Sequence, residues 1–259
     1  MKLILNLTTF CFCLLIIQGC QSGSSANNSS GSSADIGSLG SGSDIYLEST
    51  SITTGRSMTA NVLLKMYISH AGKLRNEMYM AKDGGKPSLM MAGIADGKNP
   101  TQTVLIDDSA KTYSINKIDT SVTNQADNML TEHTTYIVNK IGNETIQGLS
   151  CVHGQIIKTM NFSGAQSFMN GTDTTDIWAT KDIPMPASLQ KGFAKSMGIA
   201  YTGNVADKLV QMDCVGFPVK FQVHGKETST LMQLTKMSHD NFPANLFDVP
   251  AGYKQTSSN

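Results

Sequence analysis

"ANVLLKMYISH", Ala60–His70, places Val62, Leu64, Met66 and Ile68 on one side of an extended chain and Asn61, Lys65 and Ser69 on the other. A period of two describes a strand with one buried and one wetter face. "AG" then marks a turn. "KLRNEMYMAK", Lys73–Lys82, resumes the alternation, with Leu74, Met78 and Met80 opposite Lys73, Arg75 and Glu77. The two stretches read as a hairpin.

The same reading extends both ways along the chain. "KDGGKP" and "DGKNP" are turns, and "SLMMAGI" between them is a short apolar strand. "TQTVLID" and "KTYSINK" pair across "DSA"; "TYIVNKI" and "LSCVHGQIIKTM" flank the turn "GNETIQG". "TTDIWAT" is a further strand. "FPVKFQVHG" and "TSTLMQLTKMSH" form the last hairpin, and "PANLFDVP" adds a short helical turn. Two helices are expected: a weak one at "SVTNQADNMLTEH", and a stronger one at "PASLQKGFAKSMG", where Leu189, Phe193 and Met197 recur every fourth residue. The fold class is therefore mainly β, of the α+β kind. It is a curved antiparallel sheet or half-open barrel with a few helices covering its concave face.

The N-terminus carries an address. Lys2 and the uncharged, mostly apolar stretch Leu3–Ile17 look like a secretory signal, too short for the roughly 20 residues a spanning helix needs. It ends "IQGC", Ile17–Cys20, which resembles a bacterial lipobox. That resemblance implies lipidation of the Cys20 thiol and cleavage before it. A plain secreted protein is the alternative. Residues 21–43 hold ten Ser and five Gly with Asp35 the only charge. Such a tether stays unfolded and spans roughly 25 Å on average. The chain thus divides into a signal peptide (1–19), a lipidated cysteine with its tether (20–43) and one domain (44–259). Gln21 after the cysteine resembles outer-membrane sorting, facing the periplasm.

Composition excludes several classes. Twenty basic residues balance twenty acidic ones, so nothing suggests a nucleic-acid partner. No nucleophile elbow, P-loop, dinucleotide fingerprint or His-Glu-x-x-His helix occurs, and neither enzyme activity nor a cofactor is expected. Cys151, His153, Cys214 and His224 could make a four-ligand zinc set, but the tight pairs of such sites are missing, so no metal is expected. A cleft gathering His153, His224 and acids would revive an enzyme. Beyond the inner membrane Cys151 and Cys214 could be bridged; otherwise they are two buried thiols. The sequons at Asn28, Asn143, Asn161 and Asn170 read as chance in a chain rich in Asn, Ser and Thr.

Four stretches in order carry a family likeness: "GNETIQGLSCVHG", "TTDIWATKDIP", "GFPVKFQV" and "PANLFDVPAGYK". Together they resemble a family of bacterial lipoproteins and periplasmic proteins known as a domain of unknown function. That family is similar to the outer-membrane lipoprotein carriers of the LolA/LolB type. The resemblance implies a bent open sheet whose hollow could hold an acyl chain or a lipoprotein. None of the carriers' ligand motifs is present. The fifteen methionines suggest where an adaptable apolar pocket would lie: Met66, Met78, Met80, Met90 and Met91, on neighbouring strands. The expected role is a membrane-anchored envelope lipoprotein that binds an apolar ligand. The alternative is a structural or protein-interaction module with a packed core and no ligand.

Overall fold

The alternation at Ala60–His70 becomes the second strand of one large sheet. A computed structural model describes residues 44–56, 59–81, 85–96, 102–117, 133–183 and 204–257. Among them, twelve strands join in the order β12-β6-β5-β4-β3-β2-β1-β11-β10-β9-β8-β7. The strands are β1 (Asp44–Gly55), β2 (Thr59–Ile68), β3 (Lys73–Met80), β4 (Ser88–Asp96), β5 (Gln102–Asp107), β6 (Thr112–Lys117), β7 (Thr134–Ile146), β8 (Leu149–Met160), β9 (Gly171–Thr180), β10 (Phe217–His224), β11 (Thr228–Asp240) and β12 (Lys254–Gln255). Among the described residues one α-helix, α1 (Asn204–Gln211), and two 3₁₀ turns, η1 (Gly164–Met169) and η2 (Ala244–Phe247), accompany them. The expected mainly-β, open, curved antiparallel sheet is what forms.

Two meanders, β1–β6 and β7–β11, are sewn together along β1, which pairs with β2 on one side and β11 on the other. Every pairing is antiparallel except β12 with β6. The hairpin between β7 and β8 is tighter than "GNETIQG" suggests. β7 runs on to Ile146, and the turn is only Gln147–Gly148, both at positive φ (54° and 78°). Two left-handed residues match the strands' own twist, which is why such turns close hairpins. Pro218 lies inside β10, where the register shifts, so its missing N–H costs no regular ladder bond.

The alternation sorts side chains onto two faces. On the inner face one cluster gathers Val138, Ile156, Ile177, Phe221 and Met232 beneath Val205 and Leu209 of α1. A second cluster joins Ile45, Leu47, Ile68 and Leu74 of the inner face to Val219 and Leu234, and continues to Phe217, Cys151 and Trp178. Met66 packs against both.

The outer face of β2–β6 is not the wetter face its charges suggest. The last sixteen described residues fold back across it as a strap. Phe247 is buried against Ala92, Ile94 and Ile106, with Phe242, Leu246 and Tyr253 beside it. The strap is tied at both ends. Phe242 N donates to Asp44 Oδ2 at 2.8 Å, and Lys254 N donates to Lys111 O at 3.1 Å. The expectation for Arg75 and Glu77 is thereby corrected: both are buried beneath this segment.

The disulfide expectation is corrected too. Cys151 and Cys214 are free, buried thiols. A Cβ on Gly154 would lie 2.7 Å from Cys214 Sγ, so Cys214 sits directly over Gly154. Cys151 is three residues earlier on β8, and an odd separation along a strand points side chains to opposite faces. Of the two expected helices, residues 186–198 and nearly all of 121–133 lie outside the described residues.

Candidate ligand-binding face

Three strands bring four of the five candidate methionines together. Leu64, Met78 and Met91 stand in one row, in register across β2, β3 and β4. Two places along, Met66 and Met80 fall on the same inner face, Met80 opposite Val62. Met90 does not join them. It is the extra residue where the β3–β4 register shifts between Met78 and Tyr79, and its carbonyl accepts from Asp108 N at 3.3 Å. Met78 is buried, while Met66, Met80 and Met91 are half-buried. A row of unbranched thioethers on one face can re-pack around differently shaped apolar groups.

The zinc alternative is not assembled. Among the described residues no three of His, Cys, Asp and Glu converge as a metal site. His153 meets two carboxylates instead: Nδ1 lies 3.0 Å from Glu144 Oε1 and Nε2 lies 3.0 Å from Asp176 Oδ1. Its ring stacks on Trp178, centroids 4.1 Å apart, and Lys220 Nζ lies 4.2 Å above the indole. Glu144, His153 and Asp176 come from β7, β8 and β9, so this side chain ties the sheet's edge strand to its neighbours. His224 is not part of the group; it pairs with Thr174 at the far end of β10.

Both thiols are tuned towards inertness. Burial pushes the Cys214 thiol up to about 11 and raises that of Cys151. A nucleophilic or metal-binding cysteine needs the opposite shift. Their hydrogens turn to main-chain oxygens, Cys151 to Leu149 and Cys214 to Val152.

On the outer face the strap covers a polar knot. Arg75 Nε donates to Glu77 Oε1 at 2.8 Å, and Arg75 Nη1 donates to the Leu246 carbonyl at 2.9 Å. Tyr67 and Tyr79 both donate to Glu77 Oε2, at 3.2 and 2.8 Å. Each charge is paired, so this is a fastening for the strap rather than a vacant site.

Residues 53–253 match the family described as Domain of unknown function (DUF4412). No curated protein matches the chain. Among solved structures, lipoprotein LppX from Mycobacterium tuberculosis aligns at 13% identity and a TM-score of 0.32, covering 77% of this chain and 88% of that one. LprF from Mycobacterium bovis aligns at 8% and 0.30, covering 82% and 90%. A LolA superfamily protein from Nitrosomonas europaea aligns at 8% and 0.28, covering 83% and 94%.

Proposed function

The chain belongs to the DUF4412 family, and from that premise we propose that it is a lipid-anchored protein of the bacterial cell envelope that binds an acyl chain or similar apolar group against the inner face of β2–β4. One observation carries this reading: the in-register row Leu64–Met78–Met91, with Met66 and Met80 beside it. Burying a ligand's chain there gains about 25 cal/mol per Å² before the costs of association. Recognition works by shape and exclusion of water, without catalysis.

Cys20 is the anchor in this reading. Acyl chains on its thiol and amine hold the protein to the periplasmic leaflet of the outer membrane, since two or more chains are needed for a firm hold. The tether of residues 21–43 lets the sheet stand off the membrane by roughly 25 Å.

Two measurements test the two halves. Labelling cells with radioactive palmitate marks the wild-type protein and leaves Cys20→Ser unlabelled; a labelled Cys20→Ser protein overturns the anchor. Mass spectrometry of the full chain carrying Cys20→Ser finds co-purifying lipid, and an anilinonaphthalene sulfonate dye brightens on binding. Absence of both leaves a structural or protein-interaction module of the envelope as the better account.

A further inference from the structure

Asn76 interrupts the apolar phase of β3. It stands between Leu74 and Met78 on the inner face, in register with Met66 on one side and with Gly93, which has no side chain, on the other. Its amide nitrogen and amide oxygen are both closed to solvent, and neither has a hydrogen-bond partner. Buried amides are nearly always paired, because a donor or acceptor taken out of water and left alone costs stability. Leucine has nearly the same shape, so the position could have been apolar at no loss of packing. An amide that is unpaired in the ligand-free protein, and set among methionines, is an unmet donor and acceptor, which a ligand reaches by displacing the side chains that now close it to solvent.

We propose that Asn76 is the polar anchor of this face. It recognises an acyl chain whose head presents a hydrogen-bond donor and an acceptor side by side on one carbon, as a carboxamide does. Such a head pairs with both atoms of the side chain at once. An ester satisfies only the nitrogen, and a hydrocarbon satisfies neither. Sites built to hydrogen-bond a polar group reject analogues lacking it, because the site's own groups then stay unpaired. This inference rests on the inner face being the ligand face.

The test uses three probes of equal chain length on the full chain carrying Cys20→Ser: dodecanamide, methyl laurate and dodecane. The expected result is roughly tenfold or greater preference for the amide over the ester in the wild-type sequence, falling to about equal affinity in Asn76→Leu. Dye binding is kept in both proteins. Ligand-free Asn76→Leu melts at or above the wild-type temperature, because it removes an unpaired amide.

Equal affinity of the wild-type sequence for amide and ester overturns the anchor and leaves the apolar face standing. That comparison needs no variant to fold. A clear fall in the melting temperature of Asn76→Leu overturns it as well, by showing a structural role. Failure to bind any of the three probes or the dye overturns the ligand face itself.

Discussion

Arg75 and Glu77 stand two residues apart on one face of β3 and pair at 2.8 Å, both almost closed to solvent beneath the C-terminal strap. A buried ion pair is weak support for stability as a whole, but breaking it from one side is costly, because the remaining charge has nowhere to go. Glu77→Gln keeps an amide oxygen for Arg75 Nε but removes the carboxylate that pairs with the buried guanidinium. It is expected to cost about 3–5 kcal/mol in urea unfolding. Arg75→Met combined with Glu77→Gln removes both charges and should cost clearly less than the sum of the single changes, a coupling of about 0.5–3 kcal/mol. Additive losses would mean that the two side chains do not sense each other.

Acid should loosen the join between β1, the β2–β3 turn and the strap. Burial by itself raises the Asp44 carboxyl, but the backbone N–H groups of His70 and Phe242 and the His70 ring outweigh it and hold it below its ordinary value. The His70 N and Phe242 N bonds are 2.9 and 2.8 Å. A carboxyl lowered in the folded state contributes stability above its unfolded value near 4 and loses it as pH falls through the folded one. Asp44→Asn should therefore lower the unfolding free energy in urea at neutral pH by about 1–3 kcal/mol, and flatten the dependence on pH below about 4. A variant with an unchanged acid limb would assign that limb to other carboxylates.

The alkaline side has the opposite sign. Burial, then the charge of Glu77 and the hydrogen bond to it, push Tyr67 up to about 12, and burial raises Tyr46 and Tyr79 as well. A phenol raised in the folded state contributes stability below its unfolded value near 10 and loses it as pH climbs towards the folded one. Phenolate absorbance of the native protein should lag behind that of the urea-unfolded chain between about pH 10 and 12. Tyr67→Phe should remove part of the lag. Coincident titration curves would show these tyrosines to be open to water.

How much of this was readable beforehand follows the range of each interaction. β2 and β3 announced themselves because their partner begins within five residues and alternation is a local signal. β1 did not: its inner phase passes from Ile45 and Leu47 to Ser49 and Ser51, and its second partner, β11, begins more than 170 residues later. The strap was legible as a short helical turn, but no period says which surface it covers. That is why Arg75 and Glu77 looked solvated although Leu246 closes over them. The eight residues of α1 are too few to show a helical face clearly. Asn76 leaves a local trace, a polar residue at an apolar phase position between Leu74 and Met78.

The docking of α1 on the sheet can be tested at one glycine. Cys214 follows the helix, and its N–H returns to Leu209 O at 2.9 Å, so the helix end and the thiol move together. A Cβ on Gly154 of β8 would meet Cys214 Sγ at 2.7 Å and Leu209 Cδ2 at 3.7 Å. The first distance is a clash and the second is ordinary contact. Gly154→Ala must therefore displace the thiol, and overpacking of this kind costs about 1–3 kcal/mol. Cys214→Ala removes the sulfur and should by itself cost about 1 kcal/mol of lost burial. In the double variant the new methyl occupies the space the sulfur leaves, so the combined loss should be smaller than either sum or clash alone requires. Thermal unfolding of the four proteins of the cycle measures it. A neutral Gly154→Ala, or strictly additive losses, would place α1 elsewhere than over β8.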